Sequence, residues 1–104
     1  MNDREMVHAI EQALHEVQDP ETGINICDLG LVYGVEFAAP TGAASVTMTF
    51  TTPACPAGDV MTEGVERRLL RVPGVSSVDV RVVFMPPWTP ERITPEGRAE
   101  LGWR

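Results

Sequence analysis

The chain has 104 residues, with 8 lysines and arginines against 15 aspartates and glutamates, a formal net charge of −7. A chain of this size is expected to form one domain over residues 1–104 with one core, needing no disulfide or structural metal to hold it. The acidic balance argues against nucleic acid or an anionic membrane as partner, because phosphate recognition needs a basic surface. No apolar run is long enough to span a bilayer, and the polar start "MNDREMVHAIEQ" is unlike a secretory signal; the expected location is the cytoplasm.

Met6, Ile10, Leu14 and Val17 form a stripe at helical spacing, with Asn2 as cap and Glu5 three residues on, which predicts a helix from about Asp3 to Gln18. Asp19 and Pro20 end it, since proline cannot continue the ladder and displaces the residue before it. His8 and His15 fall on the opposite side of this helix and read as part of a solvated face. The loop "DPETGINICDLG" follows. From Leu31 the period becomes two: Leu31, Tyr33, Val35 and Phe37 alternate with Val32, Gly34, Glu36 and Ala38. After the turn "APTGA", the run "ASVTMTFT" puts Ala44, Val46, Met48 and Phe50 on one face and Ser45, Thr47, Thr49 and Thr51 on the other. These two runs predict an antiparallel hairpin.

Val60, Met61, Val65, Leu69 and Val72 return to helical spacing, stopped by Pro73 and Gly74, and the basic cluster Glu66 to Arg71 reads as the solvated end of that helix. A third strand is predicted where Val78, Val80, Val82 and Phe84 alternate with Ser77, Asp79 and Arg81. In the tail, Thr94 and Pro95 are suited to open a short helix that Gly102 closes. The order helix, strand, strand, helix, strand, short helix predicts a two-layer α+β domain, a small sheet with helices on its one apolar face.

Two cysteines carry the chemistry that remains. Pro56 suits the first turn of the second helix, which predicts Cys55 as its N-cap, where a thiolate is favoured as nucleophiles and metal ligands alike require. Burial as a small hydrophobe stays open beside these readings. A nucleophile usually works with a histidine base, and both histidines are on the first helix. Asp28 stands among Ile26, Cys27, Leu29 and Leu31, where a carboxylate needs either a partner or a function; capping of local backbone N–H groups explains it equally. Asp19 and Glu21 read as a helix stop and turn. A Cys27–Cys55 disulfide is not expected in a reducing compartment. Phosphate-loop, HExxH, GxSxG and CxxC motifs are absent from the sequence.

Four ordered stretches, "DPETGINICDLGLVYGV", "VTMTFTTPACP", "VPGVSSVDVRVVFMPPW" and "ITPEGRAELGW", resemble the SufT-type iron-sulfur cluster assembly family, which includes PaaD and the N-terminal domain of Mrp-type carriers. The resemblance covers nearly the whole chain. It implies the α+β fold derived above and an accessory role, not a classical enzyme's, in iron-sulfur protein maturation, as cluster carrier or as adaptor to client apoproteins. It also implies a functional loop of Asp19, Glu21, Asp28 and Thr51 around Cys55 as cluster ligand, with Pro53 and Pro56 shaping the cysteine segment. Cys27 matches no cysteine of that pattern and reads as a buried neighbour of Asp28. A cluster is normally held by several thiolates, so one bound here would be transient or shared with a second subunit, a client or a small thiol. The implied partners are assembly proteins and clients, with a homodimer as the simplest way to bring two Cys55 thiolates together. Alternatives of other classes are a thiol enzyme with Cys55 as nucleophile and a purely structural interaction domain.

Overall fold

The computed structural model describes residues 2–52 and 55–102. Helix α1, Asp3–Leu14, opens on Asn2, whose side-chain oxygen accepts the Glu5 N–H at 2.8 Å. Its inner face buries Met6, Ile10, Ala13 and Leu14. The helix stops at Leu14, four residues short of the predicted end at Gln18, because other partners claim the backbone. The N–H groups of His15, Glu16 and Val17 bond three residues back, and the Val17 carbonyl accepts from Ile26. Asp19 N–H then donates to Ile24 O at 2.9 Å, closing the loop on itself, while Val17 remains buried as its place on the stripe predicts.

Strands β1 (Val32–Ala38) and β2 (Ala43–Met48) form the expected antiparallel hairpin, with Val35 opposite Val46 and Phe37 opposite Ala44. The register slips between Val32 and Gly34, so Tyr33 is the extra residue of a bulge. Helix α2 (Gly58–Leu69) leads to β3 (Ser77–Val82), which runs parallel to β2 with Val46 opposite Val80. The sheet order β1-β2-β3 makes β2 central, and its Ala44, Val46 and Met48 are fully enclosed beneath the helices. One apolar cluster joins Ile10 and Leu14 of α1, Leu31 just before β1, Val46 and Met48 of β2, and Met61, Val65 and Leu69 of α2. This is the two-layer α+β arrangement the periodicities imply.

Several positions depart from the period: Tyr33 falls in the bulge, which breaks the alternation of β1, and Phe84, assigned to the apolar face of the third strand, lies past its end at Val82 and is 41 % exposed. Thr49 is buried, at 1 % exposure, although alternation puts it on the hydroxyl face, because β2 ends at Met48 and the chain turns inward there. Phe50, assigned to the apolar face of the same strand, lies past its end and is half-buried. Val60 is 60 % exposed: the inner face of α2 follows Met61, Val65 and Leu69 at four-residue spacing, and Val60 points beside it.

The tail folds back onto the loop before β1. A short 3-10 turn, Pro90–Arg92, precedes α3, Pro95–Glu100, whose cap Thr94 accepts the Gly97 N–H at 3.1 Å on its hydroxyl. The Trp88 indole N–H donates to Leu29 O at 2.7 Å, and Thr94 N–H donates to Asp28 O at 2.8 Å. Gly30 has φ +75°, and a side chain there would meet the Arg92 backbone. Glycine is what lets loop and tail lie this close. No helix among the described residues is long and apolar enough to cross a membrane.

Candidate functional site

Cys55 lies on the connection from β2 to α2. Its N–H donates to Thr52 O and its carbonyl accepts the Gly58 N–H, both at 3.2 Å. The second bond closes a turn over Cys55, Pro56, Ala57 and Gly58, in which Ala57 has φ −92° and ψ 4°, the third position of a type I turn. Pro56 therefore serves as the second residue of a turn, which its fixed φ suits as well as it suits a helix start. The expected N-cap role of Cys55 is overturned: α2 begins at Gly58, its N-cap is Ala57, and no side chain caps it. Cys55 is half-buried and packs against the edge of the core. Gly58 faces Phe50, whose ring atoms lie 2.7 and 2.9 Å from where a Cβ would stand, so the start of α2 is seated on that ring.

The acidic loop is shaped by its own hydrogen bonds. Asp19, 6 % exposed, accepts the Glu21 N–H on Oδ1 at 2.9 Å, and its carbonyl accepts the Gly23 N–H at 2.7 Å. Glu21 projects into solvent. Asp28 exchanges two bonds with Asn25: Asn25 Nδ2 donates to Asp28 Oδ2, and Asp28 N–H donates to Asn25 Oδ1, each at 2.9 Å. Both aspartates thus have local backbone or amide partners.

Cys27 is half-buried and lines a groove of about 320 Å³ with Glu11, His15, Tyr33 and Val35, between α1 and the outer edge of β1. Burial pushes its thiol up to about 11, and the Asp28 and Glu11 carboxylates add to the shift. It stays a protonated thiol at neutral pH, which fits the reading of Cys27 as a neighbour of Asp28. His8 and His15 are exposed on α1, as expected. Both cysteines are free.

A recess of about 120 Å³ is walled by Phe50, Phe84, Pro87 and Trp88 and by Thr49, Thr51 and Thr52, the last of which accepts the Cys55 N–H on its carbonyl. Phe50 and Phe84 meet edge to face, with centroids 6.2 Å apart. Thr51 is exposed at its rim. Pro53 lies outside the described residues. The structure places Pro56 in the turn that carries Cys55 and Thr51 at the recess, and ties Asp28 to the tail through its carbonyl, which accepts the Thr94 N–H, next to the Leu29 carbonyl that holds Trp88. Sequence reasoning missed Trp88 and Phe84. The run "FMPPW" held a signal, two aromatics around a proline pair that breaks the strand, but no periodicity links residue 88 to residue 29 or residue 84 to residue 50.

Among the described residues, no group of three or more histidine, cysteine, aspartate or glutamate side chains could hold a metal ion. An iron-sulfur cluster takes several thiolates. The described donors of one chain, with Cys55 on one connection and Cys27 in a separate groove, do not fit a whole cluster.

A family model described as "Iron-sulfur cluster assembly protein" matches residues 8–82, and the chain belongs to that family. It is 40 % identical over 94 residues to an "Fe-S protein maturation auxiliary factor" of Porphyromonas gingivalis, covering 90 % of this chain and 89 % of the relative. It is 37 % identical over 86 residues to the "Fe-S protein maturation auxiliary factor SufT" of Staphylococcus aureus, covering 83 % and 97 %. The crystal structure of a "Domain of Unknown Function DUF59" from Bacillus anthracis superposes with a TM-score of 0.92 at 35 % identity, over 98 % of this chain and 96 % of that one. The SufT-type resemblance read from the four sequence stretches thus holds, and so does the fold it implied.

Proposed function

We propose that this chain is a cytoplasmic accessory factor of iron-sulfur protein maturation that takes a cluster as cargo at Cys55, with the remaining ligands supplied from outside the chain. The single observation that carries the reading is the placement of Cys55: a free, half-buried thiol on a short turn between β2 and α2, outside any group of three or more metal-ligating side chains among the described residues. A half-buried cysteine on a connecting turn suits a handover site, since each external ligand can be exchanged for a client's. The family match over residues 8–82 and the maturation-factor names of its relatives support the same role. In this reading the partners are assembly proteins and client apoproteins, and a homodimer pairing two Cys55 thiolates is one route to a shared cluster. In the same reading Pro56 sets the turn that carries Cys55, Pro53 and Thr51 belong to the same connection, and Asp19, Glu21 and Asp28 make up the acidic loop that acts with it. The role read here is accessory, in line with the maturation-factor names of the relatives.

Anaerobic reconstitution with ferrous iron and sulfide tests this. The wild-type chain is expected to gain the broad visible absorption of a cluster, and Cys55→Ala to lose most of it while keeping the same circular dichroism. Equal absorption in the two proteins contradicts the assignment of Cys55.

A further inference from the structure

We propose that the free edge of β3 is a self-association surface, which takes the β3 of a second copy of this chain in antiparallel pairing centred on Val80. The sheet order β1-β2-β3 leaves β3 with a strand on one side only among the described residues. Met48 O accepts the Val83 N–H, and Met48 is the register partner of Val82. Successive residues of a strand turn their N–H and C=O groups to opposite sides, so Asp79 and Arg81 address β2 as Val83 does, while Val78, Val80 and Val82 address the open edge. Proteins usually blunt such an edge with a bulge, a proline or an inward-pointing charge. β1 has a bulge at Tyr33; β3 pairs with β2 without a shift, contains no proline, and packs Val78, Val80 and Val82 against the margin of the core.

Backbone and charge together select the occupant and its register. The outward N–H and C=O groups meet their own copies only where even-numbered residues face even-numbered ones, which allows two-fold centres at 79, 80 or 81. A centre at 79 sets Asp79 against the partner's Asp79, and a centre at 81 sets Arg81 against the partner's Arg81; like charges directly opposite are unfavourable. A centre at Val80 sets Asp79 against the partner's Arg81 and Arg81 against the partner's Asp79. Arg81 bonds Asp79 of its own strand through Nε at 2.9 Å, and its terminal N–H groups remain to reach the partner's Asp79. The strand is thus complementary to its own two-fold image, as an isologous contact requires. The apolar surface agrees. Arg68 of α2 is bonded to Glu16 and marks the flank turned to α1; Leu70, about 200° further round, lies on the opposite flank, the side on which β3 is open. Leu70 is 53 % exposed before the strand, and Met85 is 77 % exposed after it. Antiparallel pairing lays the segment entering one β3 beside the segment leaving the other, and so covers both. Phe50 packs on Phe84 and seats Gly58, whose N–H is bonded to the Cys55 carbonyl, so the Cys55 turn stands at the Val82 end of β3. The two-fold carries the second turn to the opposite end. This dimer therefore displays two separate cysteine turns, does not pair the thiolates, and stands whether or not Cys55 holds a cluster.

The test uses the whole chain, reduced and without iron, so its failure is distinct from a failure of cluster binding at Cys55. Sedimentation from micromolar to millimolar concentration is expected to show a reversible monomer–dimer equilibrium. Asp79→Arg and Arg81→Asp, both at exposed positions, each set like charges opposite one another and are expected to weaken the dimer about tenfold or more. Mixed in equal amounts, the two variants are complementary and are expected to recover wild-type association as heterodimers, which a mere folding defect would not allow. Hydrogen exchange reads the backbone: the Val78, Val80 and Val82 amides are expected to gain protection with concentration, while those of Asp79 and Arg81, turned to β2, stay protected throughout. A chain that stays monomeric at millimolar concentration, leaving the edge to a strand of another protein, overturns the proposal. So do single variants that associate like wild type, a mixture that does not recover, or exchange at the three valines that is independent of concentration.

Discussion

Cys27 and Asp28 are neighbours in sequence with opposite fates. The thiol is turned toward α1 and kept neutral by burial, while the carboxylate is held by Asn25 at the foot of the tail. The raised Cys27 value has a definite consequence for stability. Below about pH 9 the thiol is protonated whether the chain is folded or unfolded. Between 9 and about 11 the unfolded chain releases its proton and the folded one keeps it, so stability falls as pH rises through that window. Cys27→Ala is expected to flatten this alkaline loss in urea titrations at successive pH values; an unchanged slope assigns the loss to other groups. Asn25→Ala removes both bonds to Asp28 and is expected to cost about 1–3 kcal/mol, read from the urea midpoint. The same variant leaves the carboxylate without its amide partner, a local change that the Thr94 amide, bonded to Asp28 O, would report by faster hydrogen exchange.

The elements show where short-range rules suffice and where they fail. All three strands and the two long helices were legible because each has one apolar face, and faces show up as period; the short α3 was legible from its cap Thr94 and the proline that follows. Ends were less legible. The predicted helix end at Gln18 followed the proline at 20, whereas the real end follows long-range bonds from Val17 and Asp19 to residues 24 and 26. The same limit produced the error at Cys55: proline is equally at home in a helix's first turn and in the second place of a β-turn, and the sequence does not choose between them. The bond from Trp88 to Leu29 was invisible for a simpler reason, since it joins two irregular segments. Its weight is measurable. Trp88→Phe keeps the ring and removes the donor, leaving Leu29 O unpaired, and is expected to cost about 1 kcal/mol. Gly58→Ala drives a methyl into the Phe50 ring at the start of α2, and is expected to destabilise by about 1–3 kcal/mol and to change the alkylation rate of Cys55. A Gly58→Ala protein with wild-type stability and thiol reactivity would contradict the seating of α2 on that ring.

At the scale of the molecule, one apolar cluster links both long helices to the sheet, and the cysteine connection and the tail lie at its margin. Truncating a central residue such as Leu14, which is fully enclosed, is expected to cost about 2–5 kcal/mol and to lower the melting temperature, whereas Cys55→Ala at the margin should melt close to wild type. Stability and the functional segment are thereby separable, which is what makes a thiol variant interpretable. The central claim is that one chain provides one sulfur and that the other ligands of a cluster arrive from elsewhere. Native mass spectrometry of the anaerobically reconstituted protein tests this directly. We expect cluster mass only on species that contain a second chain or bound small thiol, and none on Cys55→Ala. A cluster carried by a single wild-type chain with no added ligand, or by Cys55→Ala, would contradict it.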